Sequence, residues 1–447
     1  MSNLHAPSPE LVEKCVHCGF CLPTCPTYAL WGEEMDSPRG RIYLMKAVGD
    51  GRASVDASYV EHFDSCLGCV ACVTACPSGV QYGTLIEQAR AQIEQDYPRR
   101  PGDRLFRQAL LWLLPYRARM RVALFPMVLV GGLLKALVRA TRAETPDGRA
   151  HDHAGARRPD GGWYARLRAL IRLAPPVSWA SLGRAGEAGG AAMGEERLRV
   201  AVLSGCVQQL AFGHVNDATV RVLRAEGCRV TVPSEQGCCG ALALHAGYPE
   251  QARAFARGTI AALDRPDVDR IVVNAAGCGS AMKEYGQLLA DDLAWADRAR
   301  AFSAKVRDVS EVLTELPPRA PRHPIAARVA YHDACHLAHG QQVRAQPRQL
   351  LQGIPGLELL TPAEPEMCCG SAGIYNLVQP EAAADLGSRK VQNLAALTPD
   401  IIATGNPGCT LQIAAAARDR GWRWSVVHPV ELLDASIRGD QVDLHHR

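Results

Sequence analysis

The chain contains the run Cys15-Val-His-Cys18-Gly-Phe-Cys21-Leu-Pro-Thr-Cys25-Pro26, and it repeats this spacing as Cys66-Leu-Gly-Cys69-Val-Ala-Cys72-Val-Thr-Ala-Cys76-Pro77. The spacing C-x2-C-x2-C-x3-C-P is typical of proteins with two [4Fe–4S] clusters, in which the fourth cysteine of each run ligates the other cluster. The repeat therefore predicts two clusters, whose expected ligand sets are Cys15, Cys18, Cys21 and Cys76 for one, and Cys66, Cys69, Cys72 and Cys25 for the other. Because metal binding is coupled to folding, we expect the metal-free domain to be poorly ordered.

Two other uses of clustered cysteines fit this sequence less well. Disulfide frameworks suit short secreted chains, whereas this chain has 447 residues, 17 cysteines and no cationic-then-apolar signal peptide at its start. Structural zinc sites take four ligands in paired knuckles, which leaves the third regularly spaced cysteine and the following Cys-Pro unexplained in both runs. Iron–sulfur clusters are therefore the preferred interpretation.

Length and composition indicate a multidomain protein of a reducing compartment. A soft prior of about 150 residues per domain gives about three units. So many cysteines in a chain without a signal peptide point to metal ligands and to a cytoplasmic location. The net charge is only +3, which gives no reason to expect a nucleic-acid partner.

Basic and apolar residues are concentrated in a segment predicted to span residues 99–196. Between Arg99 and Arg199 there are 19 Lys and Arg against 8 Asp and Glu. The segment also contains an apolar run from Val122 to Lys135, which is shorter than the roughly 20 residues of a membrane-spanning helix and is interrupted by Pro126. Helices packed against this protein or a partner are the favoured interpretation. An interfacial helix, with the protein peripheral on the inner face of the cytoplasmic membrane, stays open as the alternative.

The remaining pattern divides the chain into domains. Residues 1–98 are predicted to form an all-helical two-cluster ferredoxin domain, with helices at 38–46 and 82–95. Polar stretches at 141–162 and 181–194 are predicted to be flexible linkers, since they contain too few apolar residues to bury.

The second half of the chain is duplicated. The residues Cys206, Cys238-Cys239-Gly240 and Cys278 recur, at offsets of 129 to 131, as Cys335, Cys368-Cys369-Gly370 and Cys409. Apolar segments predicted to be strands precede them at 198–203, 270–274, 327–331 and 400–404. We therefore predict two repeated α/β units with largely parallel sheets, at 197–322 (unit 1) and 323–447 (unit 2). Ligands at the carboxyl ends of parallel strands would converge on one crevice.

The cysteines of the two units leave two interpretations open. The glycine of Cys-Cys-Gly would let both thiols of the pair face one metal, and the pattern resembles the cysteine-rich CCG domains of heterodisulfide reductase and related iron–sulfur subunits. In those domains the last cysteine normally belongs to a C-x-x-C pair, but here Ala281 and Gln412 occupy the second position. Additional iron–sulfur clusters and buried structural thiols are both compatible with the sequence, and the missing ligand favours a structural role in at least one unit.

Two histidines flank the first cysteine of unit 2. His332 and His336 are candidates for metal ligation or proton relay, and the alternative is a strand-to-helix turn in which Asp333 caps the next helix. Cys228 has no counterpart in unit 2 and is interpreted as a buried free thiol.

The whole chain except the linker region resembles the iron–sulfur subunit family of bacterial glycolate oxidase. The resemblance lies in both cysteine runs, in Ser37-Pro-Arg-Gly-Arg-Ile-Tyr-Leu44 and in Tyr331-His-Asp-Ala-Cys-His-Leu337. It implies an oxidoreductase complex in which FAD-containing subunits oxidise glycolate to glyoxylate, with D-lactate as a further candidate substrate. This subunit would pass the electrons to a downstream acceptor such as a membrane quinone.

The sequence itself supports that division of labour. It has no G-x-G-x-x-G after a predicted strand and no P-loop, so we expect the flavin on another chain and no glycolate oxidation by this chain alone. The alternatives are a subunit of lactate or anaerobic glycerol-3-phosphate dehydrogenase, and a thiol–disulfide reductase, which would be expected to have complete C-x-x-C pairs. A redox-sensing regulator would need a nucleic-acid-reading module, and none is visible.

Overall fold

Helices and turns build the N-terminal domain. The structure is a computed structural model that describes residues 6–126, 128, 162–175 and 186–440. In residues 6–98 it contains the α-helices Pro9–Val12, Pro26–Trp31, Pro38–Gly49, Ala57–Asp64, Ala71–Thr74 and Tyr82–Asp96, and the 3-10 turn Glu34–Asp36. The prediction of an all-helical domain is confirmed for the part of the domain that the structure describes.

Local sequence explains where these helices begin. Ser37 precedes Pro38 and accepts a hydrogen bond from the backbone N–H of Gly40, and Asp56 accepts one from Tyr59. Both side chains satisfy N–H groups that have no partner within the helix. The apolar helix faces meet in a core that contains Phe63 and Leu85, and the cysteine loops lie at the edge of this core.

Each CCG unit is built on a parallel sheet with the same strand order, 2-1-3-4. The parallel strands are Leu198–Val202, Cys228–Thr231, Arg270–Val273 and Val306–Asp308 in unit 1, and Ala327–Tyr331, Leu357–Leu360, Ile401–Ala403 and Ser425–Val427 in unit 2. The prediction of repeated α/β units is therefore confirmed. Strands 2 and 4 of each unit were not predicted, because they are short and contain polar residues.

One predicted linker contributes to a sheet. Gly189–Gly190 forms a short antiparallel edge strand beside Cys228–Thr231, so the prediction of a flexible linker at 181–194 is wrong for this part. The pairing depends on glycine, because a Cβ on Gly189 would lie 2.2 Å from the carbonyl oxygen of Val230. Residues 181–185 lie outside the described residues.

The two units contact each other through pairs of helices. The unit 1 helices are Val207–Ala211, Gly213–Ala225, Ala241–His245, Pro249–Leu263, Ala276–Lys283, Tyr285–Leu288, Ala296–Lys305 and Val309–Glu315; those of unit 2 are Ala345–Gln352, Tyr375–Val378, Pro380–Ala395, Pro407–Asp419 and Pro429–Arg438, with a π-helical turn at His336–Gly340.

The second helix of unit 1, Gly213–Ala225, packs on the last helix of unit 2, Pro429–Arg438. The last helix of unit 1, Val309–Glu315, packs reciprocally on Ala345–Gln352. A single apolar core consequently contains residues of both sheets.

Part of the basic segment packs on unit 2. The helices Pro101–Leu113 and Gly162–Leu173 contribute Phe106 and Leu173 to a cluster that also contains Leu377. This packing agrees with the favoured interpretation of helices that contact this protein. Most of the apolar run at 122–135, and nearly all of the linker predicted at 141–162, lie outside the described residues. Among the described residues, no helix has the length and apolar character needed to cross a membrane.

Candidate metal centres

The first cysteine run surrounds a cavity that opens to solvent. This outer cavity, with about 410 Å³ of empty space, is lined by Cys15, Cys18, Cys21 and Cys76, and Cys72 also lines it. The Cys18 side chain is exposed, while those of Cys15, Cys21 and Cys76 are half-buried. Burial is the main cause that raises the pKa of Cys15 and Cys21.

The second run surrounds a cavity deeper in the protein. This inner cavity has about 300 Å³ of empty space and is lined by Cys25, Cys66, Cys69 and Cys72, all of them buried. Each cavity thus combines cysteines of one run with the fourth cysteine of the other. Four thiols around one cavity suit a [4Fe–4S] cluster. That these sulfurs ligate iron stays a prediction.

The two loops follow the same backbone path. The residue before the second cysteine and the residue after it have positive φ in both runs: 53° for His17 and 87° for Gly19, and 65° for Gly68 and 53° for Val70. His17 and Val70 are not glycine, so their left-handed conformation is strained and must be held by the surrounding structure. The cysteine spacing therefore imposes the same backbone path on both loops, even where the residue with positive φ is not glycine.

Two cations, the buried Arg41 and the half-buried Arg90, distinguish the inner cavity. Arg41 is 1% exposed, lines the cavity, and donates hydrogen bonds to Ser65 Oγ at 2.9 Å and to the carbonyl oxygen of His62 at 2.7 Å. Arg90 donates to the carbonyl oxygen of Cys66. Burial alone would raise the pKa of Cys66, but the charges of Arg41 and Arg90 hold it below its ordinary value. The two arginines therefore stabilise negative charge at the inner cavity.

The thiols of unit 1 form a buried chain. Cys206 Sγ lies 3.7 Å from Cys238 Sγ, and hydrogen bonds from Cys238 and Cys278 hold the pKa of Cys239 well below its ordinary value. Arg117 of the basic segment approaches these thiols and donates to Ser204 Oγ at 3.0 Å.

Unit 2 has the same chain of thiols and an additional histidine. Cys335 Sγ lies 3.9 Å from Cys368 Sγ. Ligand atoms of His332, Cys369 and Cys409 lie within 4.8 Å of one another. All five side chains are buried. The other candidate histidine, His336, has its Nδ1 atom 3.6 Å from Cys335 Sγ.

The glycine of each Cys-Cys-Gly has the conformation that the sequence suggested. Gly240 and Gly370 have φ values of 84° and 91°. A Cβ on Gly370 would lie 2.7 Å from the carbonyl oxygen of Ala383, and one on Gly240 would lie 3.0 Å from that of Ala252. Only glycine combines this φ with so close a backbone approach.

The structure also locates three further residues singled out in the sequence, Asp333, His336 and Cys228. Asp333 does not cap the following helix, because both its carboxylate oxygens accept hydrogen bonds from Arg348, at 2.6 and 2.7 Å. The ring of His336 lies near that of His245 of unit 1, with centroids 5.1 Å apart and the ring planes tilted by 45°. Cys228 starts a strand and is fully buried, and burial raises its pKa to about 12.

The inner cavity adjoins the thiols of unit 2. Cys69 belongs to a buried cluster with Cys335 and Cys368, and burial followed by the charge of Cys335 raises the pKa of Cys69. The thiols of unit 1 instead contact Met120 of the basic segment. Sequence patterns did not reveal this asymmetry, nor the position of Arg41, although Arg41 lies within the quoted stretch 37–44.

Comparison with known proteins gives the class and then the family. Residues 11–80 match the model of the 4Fe-4S dicluster domain, and residues 200–283 and 329–414 match that of the cysteine-rich CCG domain. The protein is therefore an iron–sulfur protein with a dicluster domain and two CCG domains.

Relatives extend this assignment over nearly the whole chain. It is 38% identical over 428 residues to the "Probable glycolate oxidase iron-sulfur subunit" of Bacillus subtilis, covering 94% of this chain and 93% of the relative. It is 34% identical over 432 residues to the "Glycolate oxidase iron-sulfur subunit" of Escherichia coli, covering 96% and 95%. A "Lactate utilization protein A" of Exiguobacterium is 28% identical, covering 54% of this chain and 98% of the relative. The chain belongs to the family of glycolate oxidase iron–sulfur subunits.

Proposed function

We propose that the protein is the electron-transfer subunit of a glycolate oxidase complex and passes electrons from partner flavoprotein subunits to a downstream acceptor. The observation that carries the proposal is the pair of four-thiol cavities, one open to solvent and one buried beside unit 2. Glycolate is the substrate named for relatives that match almost the full chain. The partial match to lactate utilisation proteins makes D-lactate a second candidate substrate of the complex.

The eight cysteines of the N-terminal domain would hold two [4Fe–4S] clusters in the crossed arrangement. Such a cluster, when bound, supplies a one-electron carrier. The residues of the chain bind and insulate it: the helices keep water from the inner site, while Arg41 and Arg90 offset negative charge there. Electrons would enter at the outer site, because Cys18 and its neighbours Val16 and Phe20 are exposed for contact with a partner.

The oxidation of the hydroxy acid itself is assigned to FAD-containing partner subunits. This chain lacks the glycine-rich dinucleotide fingerprint and the P-loop. We therefore expect the subunit alone to be inactive towards glycolate.

The downstream acceptor is proposed to be a membrane quinone, with the protein peripheral on the inner face of the cytoplasmic membrane. Support comes from exposed apolar side chains in the strongly basic segment, among them Leu105, Trp112, Val122, Phe125 and Trp163. Such a combination favours an anionic lipid surface.

Reconstitution tests the proposal. The purified chain, loaded with iron and sulfide under anaerobic conditions, should not reduce a dye with glycolate. Addition of the co-purified flavoprotein subunits should give glycolate-dependent reduction of its clusters, visible as bleaching near the cluster absorption band. Turnover by the flavin-free single chain, or clusters that stay oxidised in the assembled complex with glycolate, would contradict the proposal.

A further inference from the structure

Tyr82 stands between the two candidate cluster cavities. It is the first residue of the helix Tyr82–Asp96, is 3% exposed, and packs in the core of the ferredoxin domain, which also contains Leu85. It lines both the outer and the inner cavity, a position that it shares with Pro38 and Cys72. Its side chain therefore forms part of the wall between the two predicted clusters.

The hydroxyl of Tyr82 lies at one sulfur of the inner ligand set. Its Oη atom is 3.7 Å from Sγ of Cys66, and both side chains are buried. Either atom can donate while Cys66 is a thiol. A cysteine that ligates iron is a thiolate and has no proton to give, so the phenol is then the donor.

Other hydroxyls near the cysteines donate elsewhere. Thr27 Oγ1 lies 3.2 Å from Sγ of Cys25, but it donates its proton to the carbonyl oxygen of Asp36, at 2.7 Å. A hydroxyl has one proton to donate. The Tyr82 hydroxyl, by contrast, makes no hydrogen bond to a described residue other than Cys66. Its proton is therefore available to the inner ligand set.

Two donors at one sulfur favour the reduced state of a bound cluster. The backbone N–H of Gly68 also donates to Sγ of Cys66, at 3.4 Å. Reduction adds one negative charge, which burial disfavours and which hydrogen bonds to the sulfurs stabilise. The four cysteines of the inner cavity are buried, whereas Cys18 of the outer cavity is exposed. The hydroxyl thus offsets a desolvation cost that falls mainly on the inner cluster.

We propose that Tyr82 is a positioning residue for electron transfer, whose hydroxyl donates a hydrogen bond to the Cys66 sulfur and thereby raises the midpoint potential of the inner cluster. One electron then passes from the reduced outer cluster to the oxidised inner cluster, while the proton stays on the phenol. The inference rests on the proposed two-cluster function and adds a cause for the movement of electrons inward, towards unit 2.

Potentiometric titration of the full chain tests the inference. The protein is reconstituted anaerobically with iron and sulfide, and the paramagnetic signal of each cluster is followed during reduction with dithionite. Tyr82→Phe keeps the ring and removes the hydroxyl. It is expected to disfavour reduction of the inner cluster roughly three- to ten-fold, a downward shift of roughly 30–60 mV for one electron. The potential of the outer cluster should stay the same.

Tyr59→Phe is the matched control. Tyr59 is also 3% exposed, and its ring stacks on that of Phe63 with centroids 4.2 Å apart. Its hydroxyl has no hydrogen-bond partner in the described part of the chain, and the residue lines neither cavity. Removal of this buried hydroxyl should leave both potentials unchanged.

A second measurement leaves the amino-acid sequence unaltered, so a folding defect of a variant cannot obscure it. Growth with fluorotyrosine places fluorine on the tyrosine rings, which makes each hydroxyl a stronger acid and therefore a stronger hydrogen-bond donor. The inner potential should rise in the labelled wild type. The rise should be absent from labelled Tyr82→Phe.

An inner potential that is equal in wild type and Tyr82→Phe, an equal shift in Tyr59→Phe, or a labelled wild type with an unchanged inner potential would overturn the inference. Failure of the proposed function is distinguishable. In that case the two ferredoxin signals would be missing, or the flavoprotein partners with glycolate would not reduce them.

Discussion

The hydroxyl of Thr74 lies 2.7 Å from Nδ1 of His339 and donates a hydrogen bond to it, joining the second cysteine run to the π-helical turn of unit 2. The same nitrogen accepts from Arg344 at 3.1 Å. Thr74 lies between Cys72 and Cys76, and His339 follows Cys335 by four residues. The bond therefore fixes the inner cavity against the thiols of unit 2.

Replacing Thr74 by Val should weaken this junction. The loss of this half-buried hydrogen bond to the buried His339 is expected to lower the free energy of unfolding by about 1 kcal/mol, measured by chemical denaturation under anaerobic conditions. Thr84→Val is the matched control, because Thr84 accepts an exposed hydrogen bond from Gln287 at 3.0 Å. An effect of Thr84→Val as large as that of Thr74→Val would show that the bond to His339 has no special role in stability.

Substitution of single cysteines should remove clusters selectively. Cys18→Ala is expected to lose the outer cluster, and Cys69→Ala the inner one, each leaving about four irons per chain. Cys69→Ala should destabilise the protein more, since its site is buried against unit 2. Cys228→Ala, which removes a buried thiol outside both cavities, is the control and should retain all iron. The iron and sulfide contents per chain are measured for each variant. An unchanged iron content in Cys18→Ala or Cys69→Ala would refute the proposed ligand sets.

Arg41 should set the potential of the inner cluster. A buried positive charge stabilises the reduced, more negative state, so Arg41→Met is expected to shift the midpoint potential downwards by roughly 60 mV, a ten-fold change for one electron. The shift is measured by potentiometric titration of the paramagnetic signal. Arg41→Lys keeps the charge and should retain most of the potential. An equal shift in both variants would attribute the effect to altered packing instead of charge.

Asp308 should make stability depend on pH. Burial raises its pKa to about 6, above the ordinary value of an aspartate, so the folded state binds the proton more tightly than the unfolded state does. Its contribution is present at low pH and is lost as pH rises through about 6. Between pH 5 and 7.5 wild type should lose about 1 kcal/mol more stability than Asp308→Asn.

The measurement for Asp308 is the denaturation midpoint across this pH range. Asparagine can keep the helix cap, because the Asp308 oxygen accepts from the backbone N–H of Ser310 at 2.8 Å. Parallel pH profiles for wild type and variant would contradict the prediction.

Membrane association should depend on the exposed aromatic residues of the basic segment. Trp112→Ala with Trp163→Ala is expected to reduce co-flotation with phosphatidylglycerol vesicles at least several-fold, since both side chains are more than half exposed. Leu293→Ala, at a fully exposed apolar residue of unit 1, is the control. Wild-type protein that floats equally with neutral vesicles, or with neither kind, would exclude an electrostatic membrane contact.

Local sequence was sufficient for some elements and insufficient for others. The strands Leu198–Val202 and Ala327–Tyr331 could be predicted because apolar residues run through them to the cysteine loops. Val306–Asp308 and Ser425–Val427 contain three residues each, and only pairing with the neighbouring strand makes them part of a sheet. This pairing depends on residues that are distant in sequence, so no local sequence pattern predicts it.

The candidate sites show the same division. Cysteine spacing identified two four-thiol groups, because short loops determine which sulfurs share a cavity. The positions of Arg41 and His332 depend on contacts between distant elements and could not be predicted from the spacing of the cysteines. The asymmetry between the units likewise arises because the inner cavity adjoins the thiols of unit 2, whereas the ferredoxin domain contacts unit 1 through other residues, such as Arg90 and His245.

The exchange of terminal helices between the units has a consequence for assembly during synthesis. Gly213–Ala225 finds its partner only when Pro429–Arg438 has left the ribosome, some two hundred residues later. Until then the apolar face of unit 1 has no cover, so we expect the nascent chain to need protection from aggregation until its last helix docks. The same geometry suits an ancestral single unit that covered this face by pairing with a second copy, which gene duplication then joined into one chain.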